Sequence, residues 1–182
     1  MDNKINKTLV LCAIVLQIGF VLSIPAIKEN SIRAGTTIVV KTIPVDPQSL
    51  FRGDYINLNY EFSRIDLNKV EHESRYFDRG QRVFVKLSKA GSLWEAVSVS
   101  SKPPKNKGHN QIIIAGSINS WPSQNNISVI YGIESYFVPE GRGRDIEKNI
   151  ADRRATVELS IDKKGLASVR KIFIDEKEVR FR

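Results

Sequence analysis

Residues 44–62, PVDPQSLFRGDYINLNYEF, hold the densest cluster of specific residues in the 182-residue chain. Pro44 and Pro47 each fix φ and bias Ile43 and Asp46 toward extended geometry, so the chain cannot enter this segment as a helix. Gly53 then supplies a turn or a close backbone approach. From Asp54 onward the residues alternate. Ile56, Leu58, Tyr60 and Phe62 fall on one face and Tyr55, Asn57, Asn59 and Glu61 on the other, which is the period of a half-buried strand.

Strand patterns continue outward from it. Residues 36–43 (TTIVVKTI) are rich in β-branched side chains, and residues 82–87 and 93–99 flank Lys89-Ala90-Gly91, a hairpin turn with Gly91 available for positive φ. Residues 111–118 read as a buried strand. Residues 126–138 read as one long strand, with Ile127, Val129, Tyr131, Ile133 and Phe137 sharing a face. A closing hairpin runs from 154–162, with Ala155, Val157, Leu159 and Ile161 inward, through Lys163-Lys164-Gly165 to 166–174, and a last turn leads to 178–181. Residues 64–77 read as a packed loop and 101–110 as a turn region. One short helix is expected over 143–152, where Ile146 and Ile150 are four apart. The sum is an all-β domain, β-barrel or sandwich-like, with about eight or nine short strands.

Ahead of this domain, residues 9–24 are apolar apart from Gln17 and Ser23, and Lys4 and Lys7 precede them. A helix over residues 9–27 would be about 28 Å long, close to the ~30 Å hydrocarbon core. The expectation is a single N-terminal transmembrane helix using residues 8–27, with Lys4 and Lys7 keeping the N-terminus cytoplasmic and the rest periplasmic or lumenal. A cleaved signal peptide is the alternative, but it needs small residues at the cleavage site, and Ile24 stands two residues before Ala26. The expected division is therefore residues 1–27 as membrane anchor and 28–182 as one extracytoplasmic domain.

Composition narrows the chemistry. Cys12, inside the apolar segment, is the only cysteine, so the exported part has neither disulfide nor thiol chemistry. The net charge of +8 suits solubility or an acidic partner; no block of like charges points to specific nucleic acid. The two histidines, His72 and His109, lie among charged or turn residues and read as exposed, and neither a metal nor another cofactor is expected. Gly141-Arg142-Gly143 lacks the rest of any phosphate-loop fingerprint, though its amides with Arg142 and Arg144 have the makings of an anion-binding helix start.

Gly53-Asp54-Tyr55, Leu58 and Tyr60 spell an octapeptide that resembles the signature of the GDYXXLXY protein family. Pro44-Val45-Asp46-Pro47, Leu50-Phe51-Arg52, Tyr131-Gly132-Ile133-Glu134 and residues 137–143 are similar to further parts of that family's pattern. The resemblance implies a membrane-anchored protein, often encoded beside multi-span membrane proteins, and carries no established activity. The same loop also resembles the active-site loop of signal-peptidase-type β-folds. There, however, Val45 stands where the serine nucleophile belongs, Gln48 at the proline and Ser49 at the threonine, which leaves Lys86 nothing to deprotonate.

The binding candidates are Asp46, Arg52, Asp54, Tyr55, Glu134, Glu140, Arg142 and Arg144. Read structurally, Asp46 caps its loop and Arg52 pairs with Asp54 or Glu134. Read functionally, they form a docking surface for a polytopic membrane protein. The alternative is an envelope-acting hydrolase or ligand-binding domain using Asp54, Tyr55 and Glu140. A polyanion binder would need a basic face with exposed aromatics, for which Trp94 and Trp121 are the residues to inspect.

Overall fold

A computed structural model describes residues 7–44, 55–74, 76–104, 108–119 and 125–180. The chain divides into two compact units, Met1–Ala34 and Gly35–Arg182. The first contains helix α1 (Lys7–Ala34), which runs on past the expected end at Ile27 and carries Pro25 inside it. Leu9, Leu16, Phe20 and Ile24 are among its exposed apolar side chains. Beyond Pro25 the helix turns polar, with Arg33 donating to Glu29 at 2.8 Å. The apolar part, residues 9–24, therefore spans about 24 Å at ~1.5 Å per residue. Among the described residues no helix is long and apolar enough to cross a membrane.

The second unit is mostly β. Strand β1 (Thr36–Ile43) buries Ile38, Val40 and Thr42 in alternation, as its β-branched sequence dictates. The others are β2 (Tyr55–Asn57), β3 (Asn59–Tyr60), β4 (Arg64–Asp66), β5 (Glu71–His72), β6 (Arg82–Ala90), β7 (Leu93–Ser100), β8 (Gln111–Ile118), β9 (Asn126–Ile130), β10 (Ser135–Phe137), β11 (Ala155–Ile161), β12 (Ala167–Ile174) and β13 (Lys177–Glu178). They form a five-stranded sheet ordered β13-β12-β11-β1-β3, a six-stranded sheet ordered β4-β9-β8-β6-β7-β5, and a two-stranded ribbon, β10-β2. One hydrophobic core joins both large sheets, drawing Val157 and Leu159 from β11 and Val83, Val85 and Leu87 from β6.

A sharp corner carries the chain between the sheets. Straight after β3, a single 3-10 turn (Glu61–Ser63) delivers it to β4 in the other sheet. Phe62 is buried in that turn, stacked on Tyr60 with ring centroids 5.3 Å apart and met edge-on by Tyr131 at 5.1 Å. A second tie is made by the closing hairpin: Gly165, at φ +84, offers its carbonyl to the Ala115 N–H of β8 at 2.8 Å.

The strands exceed the expected eight or nine because several are only two or three residues long. Residues 64–77, read as a loop, contribute β4 and β5, which pair with β9 and, in parallel, with β7. Residues 126–138 are not one strand. They break between β9 and β10 at Gly132, whose φ is +80, and the break flips the side-chain parity. Tyr131 and Ile133 are buried as expected, whereas Phe137 is exposed and Val138 takes the inward place. His72 likewise lies in β5 and is half-buried, not exposed. The short helix forms as α2 (Gly143–Ala151), burying Ile146 and Ile150.

Candidate functional site

The octapeptide and the second motif meet. β2 pairs antiparallel with β10, setting Tyr55 opposite Phe137, Ile56 opposite Tyr136 and Asn57 opposite Ser135. Past the ribbon, the Leu58 N–H donates to the Glu134 carbonyl at 2.8 Å. Two tyrosine hydroxyls lock the joint in opposite directions: Tyr60 donates to the Ile133 carbonyl at 2.8 Å, and Tyr131 donates to the Phe62 carbonyl at 2.6 Å. Both rings are core residues whose one polar atom needs a partner, and each finds a backbone acceptor on the other motif.

Glu134 explains the break in its own strand. Its carboxylate accepts the N–H of Tyr131 at 2.6 Å through Oε1 and the N–H of Gly132 at 2.8 Å through Oε2, closing the turn on itself. Gly132 supplies the positive φ that this turn requires. Burial, and after it the negative charge of Glu134, pushes the phenols of Tyr60 and Tyr131 well above their ordinary range. Both therefore stay protonated donors at neutral pH.

The other half of the joint faces water. Tyr55 is 52% and Phe137 59% exposed, and the two rings meet edge-on with centroids 5.5 Å apart. From this end of the ribbon the chain passes Val138, which is fully buried, to a turn in which Gly141 sits at φ +79 and the Arg142 N–H donates to the Pro139 carbonyl at 3.1 Å. α2 follows and packs on β2; a Cβ at Gly143 would touch Val138 and Ile56. Glu140, Arg142 and Arg144 are exposed, and their side chains make no ion pair with any described residue.

The expected cluster thus divides. Tyr55, Glu140, Arg142 and Arg144 belong to the exposed end of the joint. Glu134 belongs to its buried end, where its carboxylate accepts from the backbone N–H groups of Tyr131 and Gly132; the pairing expected between it and Arg52 falls outside the described residues. Asp46, Arg52 and Asp54, like Trp121 and the Val45 to Ser49 stretch of the peptidase-like loop, lie outside the described residues. Trp94 is half-buried and packs against the core. Sequence reasoning missed Phe137 as the ring partner of Tyr55, and missed both hydroxyl locks. The signal for the locks was tyrosine, not phenylalanine, at core positions.

Two surface clefts lie elsewhere, one of about 470 Å³ beside β5 and β7 and one of about 370 Å³ beside β4 and β7. Neither is lined by a residue of the expected cluster. In the larger, His72 Nδ1 is 3.0 Å from the Val70 carbonyl, and the Ser100 hydroxyl donates to the Lys102 carbonyl at 2.7 Å. Among the described residues no group of His, Cys, Asp and Glu is placed to hold a metal ion.

No curated protein and no solved structure matches the chain. The sequence profile of the GDYXXLXY protein family, by contrast, matches residues 17–172, a span that takes in both halves of the joint, and the chain belongs to that family.

Proposed function

We propose that this protein is a membrane-anchored extracytoplasmic accessory domain that docks on a polytopic membrane protein. The docking surface is the exposed end of the motif joint: Tyr55, Phe137 and the turn bearing Glu140, Arg142 and Arg144. The observation that carries this reading is the edge-to-face Tyr55–Phe137 pair, held in solvent on a ribbon whose other end is pinned by hydrogen bonds from Leu58, Tyr60, Tyr131 and Gly132, those of the two tyrosine hydroxyls buried. A rigid pair of exposed aromatics with charged neighbours suits a protein interface better than a reaction centre, because aromatic anchors give binding energy at low entropic cost.

Support for the anchor comes from α1, whose exposed side chains from Leu9 to Ile24 are apolar on all sides but for Gln17. A helix apolar all round needs an apolar surrounding. With Ala26 and Ile27 included, its apolar segment matches the length of a thin bilayer. The test is copurification from mild detergent using the full chain, the chain lacking residues 1–34, and a Tyr55→Ala, Phe137→Ala double variant. The expected outcome is a multi-span protein retained by the full chain and lost with the double variant. Retention by the double variant would place docking elsewhere, and an α1-deleted chain found soluble in the cytoplasm of a cell whose full chain is also soluble would remove the anchor.

A further inference from the structure

The larger cleft lies on the outer face of the six-stranded sheet. Register places three side chains in one row across adjacent strands: Lys86 of β6 is opposite Ser98 of β7, and Ser98 is opposite Glu71 of β5. At a strand spacing of about 4.8 Å, the carboxylate-bearing and ammonium-bearing positions stand roughly 10 Å apart with a hydroxyl between them. Glu73 and Lys102 extend the same cleft, which encloses about 470 Å³. Glu73 is tied to the Ser101 N–H at 3.4 Å. Glu71, Lys86 and Lys102 make no ion pair with any described residue, although their side chains are long enough to meet across Ser98.

We infer that this cleft is a binding site for a small zwitterion of the amino-acid or short-peptide class. Two carboxylates and two ammoniums leave it without net charge, so neither a simple anion nor a simple cation is favoured, whereas a ligand with separated charges of both signs satisfies both ends. The ligand's ammonium sits toward Glu71, its carboxylate toward Lys86, and the Ser98 hydroxyl serves the backbone between them. Charge-assisted hydrogen bonds at both termini supply the affinity, and the volume is that of an ordinary small-ligand cleft. The site is separate from the motif joint and does not depend on the docking reading.

Titration calorimetry of the full chain in detergent tests it, with trialanine, N-acetyl-trialanine and trialanine amide as probes. Saturable binding of trialanine is expected, weakened about tenfold or more by either cap, since each removes one charge-assisted contact. Lys86→Met should abolish the penalty for the C-terminal amide while keeping that for the N-acetyl group, and Glu71→Gln should do the reverse. Both positions are on the outer face, and unchanged thermal unfolding of each variant confirms that it folds. Absence of saturable trialanine binding overturns the proposal; so do equal affinities for all three probes, or variants that keep the wild-type preferences.

Discussion

The two ends of the motif joint are built from the same two sequence motifs and meet opposite fates. At one end Leu58, Tyr60, Tyr131 and Glu134 are tied by hydrogen bonds into the core, and at the other Tyr55, Phe137, Glu140 and Arg142 stand in water. The difference follows from strand parity: β2 presents Ile56 inward and Tyr55 outward, and the break at Gly132 turns Phe137 to the same outer side. A signature read as one site is therefore two devices. The buried end sets the geometry that the exposed end displays.

The largest effects are expected at the buried end. Gly116 in β8 lies under it, and a Cβ there would come within 2.6 Å of Val129 Cγ1, 2.8 Å of the Ile130 carbonyl and 2.9 Å of Tyr131 Cδ1. Gly116→Ala should cost about 3 kcal/mol in denaturant unfolding, because backbone cannot yield as a flexible side-chain tip does. Glu134→Ala should follow at about 2–3 kcal/mol, since it strips the acceptor from two turn N–H groups. Should Glu134→Ala prove neutral, the turn would not depend on its carboxylate, and the contrast between the two ends would lose its basis.

Smaller losses are expected from the phenol locks. Tyr60→Phe and Tyr131→Phe keep the rings and orphan the Ile133 and Phe62 carbonyls, for about 1–2 kcal/mol each. The same locks set an alkaline limit. Because the folded state raises both phenols while the unfolded state ionises near pH ~10, their contribution is complete below that pH. Above it, stability should fall by up to ~1.4 kcal/mol per pH unit for each of the two, since the unfolded chain then binds fewer protons. Tyrosinate absorbance should show two of the five tyrosines ionising only as the protein unfolds.

How much of this was visible in the sequence differs by element. Period-2 alternation located the inward faces of residues 56–62 and of β11, since Ile56, Leu58, Tyr60 and Phe62, and likewise Val157 and Leu159, are all buried. Alternation could not reveal the break in 126–138, which is made by a side chain capping its own backbone two and three residues back. β4 and β5 escaped notice because two- and three-residue strands carry no period and exist only through partners far along the chain. At the site, residue type marked Glu134 as a binding carboxylate, and local geometry assigned it to the turn. No pattern in residues 55 or 137 alone announces that their rings will touch, since that contact depends on the register between β2 and β10.

The smallest expected change in stability falls at the exposed end, and it is the most discriminating. Tyr55→Ala and Phe137→Ala each delete a ring that is more than half exposed, so unfolding free energy should move by only about 0.5–1 kcal/mol, mostly the lost ring pair. Copurification of a multi-span partner should nevertheless drop sharply, and Glu134→Ala should weaken it as well by loosening the ribbon's support. A double variant as unstable as Gly116→Ala would instead mean that the two rings belong to the folding core, with no surface left for a partner to read.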